Sequence, residues 1–357
     1  MGGDDGELQR YLEYLQLQLM TEGAGPVHDA LTIAQWIENG EVRLQSIAQR
    51  LGLDQAAVDA MRADARTHDP STRFDNFWSS RIFQPLLETV LDHARVVGIA
   101  PTLPVILAAS TDLSAGPVAR PSTGQHILFA GVGTSSFCNY WAKAISSLVT
   151  AHGTHNDQGF ATEESIRIRV GIDRAPLVLA AKLSLYYRLF GTTAGFGVVE
   201  EASAAIPYRN ALCRGMELFA IAHEVAHFFY EEKTPTASSE SASLDLELDC
   251  DLYALTICRQ IGLQNDWISY TGAGGIALLH ACRLSGIAGS PDSRPRGSHP
   301  PTVQRLERLY QRAVEFTHDD DRLAVSKYLA DLNTYCAVLH DLVEHTLRKS
   351  TRHLESM

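Results

Sequence analysis

The chain reads as an α+β protein, mostly helical, with a small β-sheet beside one long apolar helix and a helical region at its N-terminus. Three observations predict this. Long segments at both ends space apolar residues three and four apart and contain few Gly or Pro. Short apolar runs bounded by Gly, Pro and Ser fall between about residues 100 and 172, the signature of strands. One stretch, LCRGMELFAIAHEVAHFFY from 212 to 230, is apolar almost throughout and free of breakers after Gly215, so it predicts a long buried helix.

At 357 residues, 45% hydrophobic and 20% charged, the chain can bury a large core. Its formal net charge of -12 opposes broad affinity for nucleic acid or anionic membrane, both of which need a basic footprint. Protein or peptide partners fit better. No run approaches the roughly 20 apolar residues of a spanning helix, and MGGDDGELQR is acidic where a signal peptide would be basic. A cytoplasmic protein is expected. Six cysteines, at 138, 213, 250, 258, 282 and 336, form no CxxC pair and suggest small buried hydrophobes.

Residues 8 to 66 read as helices, with LQRYLEYLQLQLM, ALTIAQWIENG and LQSIAQRLGLDQAAVDAMRADA in turn. The last resembles a helix-turn-helix about Gly52. Acidic residues outnumber the arginines of this region about two to one, which speaks for packing or protein docking over DNA reading. PVILAAS (104–110), HILFAGVG (126–133) and SIRIRVGI (165–172) predict strands, the second of them the sheet edge. CNYWAKAISSLVTAHG, KLSLYYRLF and GGIALLHACRLSG predict helices, and further helices run to the C-terminus.

Within the long helix lies His223-Glu224-Val225-Ala226-His227. Histidines four apart share a helix face, so both imidazoles can reach one zinc ion, with Glu224 beside it to receive a proton from water. Two histidines and a glutamate inside an apolar helix are costly without partners, which favours a metal site over coincidence. Zinc in a hydrolase usually takes three protein ligands and keeps a fourth position for water. The third is sought in DLELDCDLYAL (245–255), whose acids alternate as on a strand. The good helix formers of LYALTICRQIG continue that segment to a stop at Gly262. As a helix, it places Glu247 and Asp251 on one face, where Glu247 can ligate and Asp251 can hold the outer N–H of a ligating histidine. Asp245 and Asp249 point elsewhere, and Cys250 turns away.

HEVAH followed by ELDCD resembles the gluzincin metallopeptidases, with their HExxH and later ExxxD. The resemblance implies one Zn2+ per chain held by His223, His227 and Glu247, Glu224 as general base, and Asp251 supporting a ligand, most directly His223. Ser298-His299-Pro300-Pro301-Thr302-Val303-Gln304-Arg305 is similar to a segment of the HtpX-like and CAAX-prenyl-protease-like branch. There it implies that His299 and Arg305 lie near the zinc and stabilise the oxyanion. The bland reading of the same residues is a surface helix with Pro in its first turn and Arg in a salt bridge.

The resemblance covers roughly residues 100–315. It divides the chain into a helical region at 1–66 and a zinc metallopeptidase domain at 67–357, with an insert at 151–212 that could cover the cleft. The expected function is a soluble zinc-dependent endopeptidase. The alternatives are a regulatory protein of that fold that cuts or binds a transcriptional partner through its N-terminal helices, or an autoinhibited zinc-binding protein. Among other polar residues, His280 reads as a core histidine, His340 and His345 as solvated, and Tyr186 and Tyr187 as core aromatics.

Overall fold

The computed structural model describes residues 5–22, 54–67, 72, 75, 77–110, 116–121, 124–153, 161–190, 193, 196, 199, 201–233, 240–262, 272–285, 301–315 and 319–355. It is mostly helical with one three-stranded sheet. In chain order its elements are α1 (Asp5–Glu22), α2 (Gln55–Thr67), α3 (Phe77–Val96), β1 (Val105–Ala109), β2 (Val118–Arg120), β3 (His126–Ala130) and α4 (Val132–Gly153). Then come α5 (Glu163–Ile172), α6 (Ala175–Phe190), α7 (Ile206–Lys233), α8 (Glu240–Gly262), α9 (Ala273–Ser285), α10 (Thr302–Glu315) and α11 (Asp319–Glu355).

The apolar helix α7 is the hub, packed by α3, α4, α8 and α9. Its buried residues run from Leu212 to Phe229 on almost every face, which is why its sequence lacks a polar stripe. At the α7–α9 crossing the backbones touch: a Cβ on Gly274 would fall 2.1 Å from the carbonyl carbon and oxygen of Gly215. Only glycine lets the two helices approach that far.

In the sheet, β3 lies between β1, which it pairs in parallel, and β2, which it pairs antiparallel. Ile127 and Phe129 face Leu12 of α1, while Leu128 and Ala130 join the main helical core. A strand covered on both faces is near-continuously apolar, and HILFA is that strand from Ile127 to Ala130, with the buried His126 at its start paired to Glu232. This corrects the expectation that HILFAGVG is the edge; the edges are β1 and β2. Gln16 on α1 donates to Ala109 O at 3.0 Å, tying the N-terminal helix to the sheet it covers.

A second correction concerns SIRIRVGI. It forms helix α5, not a strand. Thr162 caps it by accepting from Ser165 N, Ser165 returns the bond, and Glu163 and Glu164 occupy the first turn. Ile166 and Val170, four apart, are buried, while the intervening Ile168 is 59% exposed. Of the expected helix-turn-helix, only the second half appears, as α2; residues 44–53 lie outside the described residues.

The described helices of the insert, α5 and α6, pack on α4 and α11, and α6 also on α9. Tyr187 meets Phe137 edge-on and is a core aromatic, while Tyr186 is half-buried against Phe196. His280 is buried with Nε2 at 2.9 Å from Asn333 Oδ1. His340, expected in solvent, is buried on α11, and burial pulls both imidazoles below their ordinary pKa, His280 to about 4. His345 is exposed. Among the described residues no helix is long and apolar enough to cross a membrane.

Candidate metal centre

Helices α7 and α8 form a hairpin, and its seam holds the site. His223 and His227 are one turn apart on α7, with ring centroids 5.1 Å apart. Across from them, Glu247 of α8 places Oε2 at 3.3 Å from His223 Nε2 and Oε1 at 3.6 Å from His227 Nε2. The three donor atoms lie within 4.8 Å of one another. Ligand bonds of about 2.0–2.1 Å in a tetrahedron place donors roughly 3.4 Å apart, so both His–Glu separations suit one small divalent ion. Two imidazole nitrogens and a carboxylate are also a chemically suitable set. His223 and Glu247 are 8% and 5% exposed. So deep a carboxylate needs positive partners, and Glu247 has His223, His227 and, at 3.8 Å, Arg305 beside it.

Asp251, one turn after Glu247, has Oδ1 at 3.0 Å from His223 Nδ1. That is the outer contact expected from the ExxxD spacing, and it leaves Nε2 as the ligating nitrogen. Arg305 of α10 grips the same carboxylate with two donors, Nε to Oδ2 and Nη2 to Oδ1, each at 2.7 Å, while Nη1 stands 3.8 Å from Glu247 Oε2. An arginine fork on a carboxylate fixes orientation as well as charge. Arg305 thus holds Asp251 and stands beside Glu247, at the seam where the resemblance expects it. His299 lies outside the described residues.

Glu224 is half-buried, and its Oε2 accepts the backbone N–H of Ala119 at 3.0 Å. Ala119 is the middle residue of β2, so the edge that lies along the site is β2. Nothing in the side chains of Pro117 to Arg120 announces this contact, because the donor is main chain. Cys250 corrects a further expectation. Three residues from Glu247, it stays on the seam, with Sγ at 3.7 Å from His227 Nδ1. Burial, then the carboxylates of Glu247, Glu224 and Asp251, push its thiol well up, so it stays protonated. A helical projection of ELDCD would have found it. Asp245 is exposed, and Asp249 pairs at 3.3 Å with Arg308, away from the seam.

The electrostatics tie metal binding to protons. Burial works to lower the His223 pKa, but its bonds to Asp251 and Glu247 outweigh that and raise it to about 10. Burial likewise works to raise Asp251, and the Arg305 and His223 bonds hold it below the usual carboxylate range. Without metal, His223 therefore carries its proton up to about pH 10, whereas a ligating imidazole must be neutral. Binding is expected to release that proton, and apparent affinity to rise about tenfold per pH unit between about pH 7 and 9. Calorimetry in buffers of different ionisation enthalpy measures the release; affinity that does not change over that range would show that His223 loses no proton on binding.

No protein-family model, no curated protein and no solved structure matches the chain.

Proposed function

We propose that the protein is a zinc-dependent endopeptidase of the gluzincin kind, with His223, His227 and Glu247 as ligands and Glu224 as general base. The observation that carries this reading is the spacing of the three donors, two buried and one half-buried, with a half-buried glutamate next to the first and a sheet edge alongside. Zinc bound there would supply Lewis acidity, polarising the scissile carbonyl and making water acidic enough to deprotonate near neutral pH.

Everything else is the work of side chains and backbone. Glu224 takes a proton from the attacking water and returns it to the leaving nitrogen. The Ala119 N–H holds one oxygen of Glu224 and leaves the other for that transfer. Asp251, gripped by Arg305, keeps His223 in the tautomer whose Nε2 faces the centre. An extended peptide lies beside β2, held by main-chain groups other than the Ala119 N–H that Glu224 takes, so binding demands no particular side chains. Donation to the oxyanion falls to His299 or Arg305, as the resemblance implies.

Purified protein is expected to hold about one zinc per chain and to cleave a fluorescent casein, with loss of cleavage on chelation and recovery on adding zinc. Glu224→Gln, which removes no ligand, is expected to keep the zinc and lower turnover at least 10²-fold to 10⁴-fold, about the share of a general base. Cleavage that survives this substitution sinks the proposal.

A further inference from the structure

We infer that Cys250 is a positioning residue for His227, the thiol counterpart of Asp251 at His223. The inference rests on the metal reading above and deepens it. On α8, Glu247, Cys250 and Asp251 stand at positions i, i+3 and i+4, so Cys250 and Asp251 flank Glu247 on either side of its helical face. The hairpin then sets Asp251 beside His223 and Cys250 beside His227, each against the Nδ1 of its histidine. One turn of helix contributes the carboxylate ligand and the outer partners of both imidazoles.

The requirement is physical. An imidazole that ligates through Nε2 carries its proton on Nδ1, and a half-buried N–H needs an acceptor. At 3.7 Å, the fully buried Sγ of Cys250 is within reach of a sulfur hydrogen bond. Sulfur accepts more weakly than a carboxylate. The two Nδ1 atoms therefore face unequal groups: that of His223 an aspartate itself held by Arg305, and that of His227, whose side chain is 21% exposed against 10%, a thiol. The orientation of His227 is the softer part of the site.

The test compares the wild type with Cys250→Ala and Cys250→Ser, and uses Cys258→Ala as a control for losing a buried thiol from the same helix. Zinc affinity is read by chelator competition, and the His227 Nδ1–H resonance by NMR of the zinc-loaded protein. Cys250→Ala is expected to weaken zinc binding about tenfold, the lower end of what outer partners command, and to broaden the resonance by exchange. Cys250→Ser, which restores an acceptor, is expected to recover much of both, and Cys258→Ala to change neither. Equal affinity and an unchanged resonance in Cys250→Ala would overturn the inference. So would a thiolate-to-cobalt charge-transfer band in the cobalt-loaded wild type that vanishes in Cys250→Ala, because Cys250 would then be a ligand. A wild type that binds no zinc defeats the metal reading itself, and this inference with it.

Discussion

Glu247→Gln is expected to leave the protein folded and nearly free of zinc, whereas Asp249→Asn, two residues away, is expected to retain about one ion per chain. The two acids differ in what surrounds them. Glu247 is 5% exposed and has an oxygen within 3.6 Å of each imidazole Nε2, while Asp249 lies at the surface against Arg308. An amide keeps the volume of Glu247 but loses the charge that binds a divalent cation and holds two imidazoles. The loss of affinity should exceed the roughly 10–100-fold typical of outer partners, because a direct ligand is removed. Metal content after gel filtration, read by mass spectrometry, decides the matter. Equal zinc in the two variants would mean that the ligand is not Glu247.

Arg305→Leu carries the second large effect, on stability. Asp251 is 2% exposed, and Arg305 supplies both short guanidinium contacts to its carboxylate. Removing one member of a buried ion pair costs about 3–5 kcal/mol when the other charge is left uncompensated; the His223 imidazolium beside Asp251 keeps the expected loss toward or below the lower end of that range. Arg308→Leu is the control: its partner Asp249 is 47% exposed, and exposed pairs contribute roughly 0–1 kcal/mol. Arg305→Lys is expected to recover only part of the loss, because an ammonium cannot span both carboxylate oxygens. Urea unfolding of the metal-free proteins measures all three. If Arg305→Leu and Arg308→Leu lose the same small amount, Arg305 is not the support of Asp251. Zinc affinity of Arg305→Leu should also fall, since a loosened Asp251 orients His223 less well.

How far the site could be read in advance depended on distance along the chain. HEVAH was legible because its geometry is local: any helix carries residues i and i+4 to one face. Glu247 and Asp251 were legible for the same reason, once the helix formers after Asp251 had outweighed the alternating acids. Alternation misled at SIRIRVGI, where a cap and a buried i, i+4 pair make a helix that exposes Ile168. It could not rank the strands either, since β3 is apolar from Ile127 to Ala130 because both its faces are covered, and no period records which strand is central. Cys250 was misjudged within a segment whose helical character had been recognised; three residues from Glu247 is still on the seam.

Local spacing in the sequence by itself determined a mostly helical chain with a small sheet and one buried helix bearing His223, Glu224 and His227, with Glu247 and Asp251 on a second. These follow from periods of 3.6 and 2 and from helix formers and breakers, which act over a few residues. The tertiary structure alone decided which groups complete the constellation. Ala119 reaches Glu224 across 105 positions, through a main-chain donor that has no side-chain signature. Arg305 reaches Asp251 across 54, and there grips the carboxylate that stands beside His223. Which helices and strand edge meet is set by the packing of the whole core, where contacts between distant residues outweigh local preference.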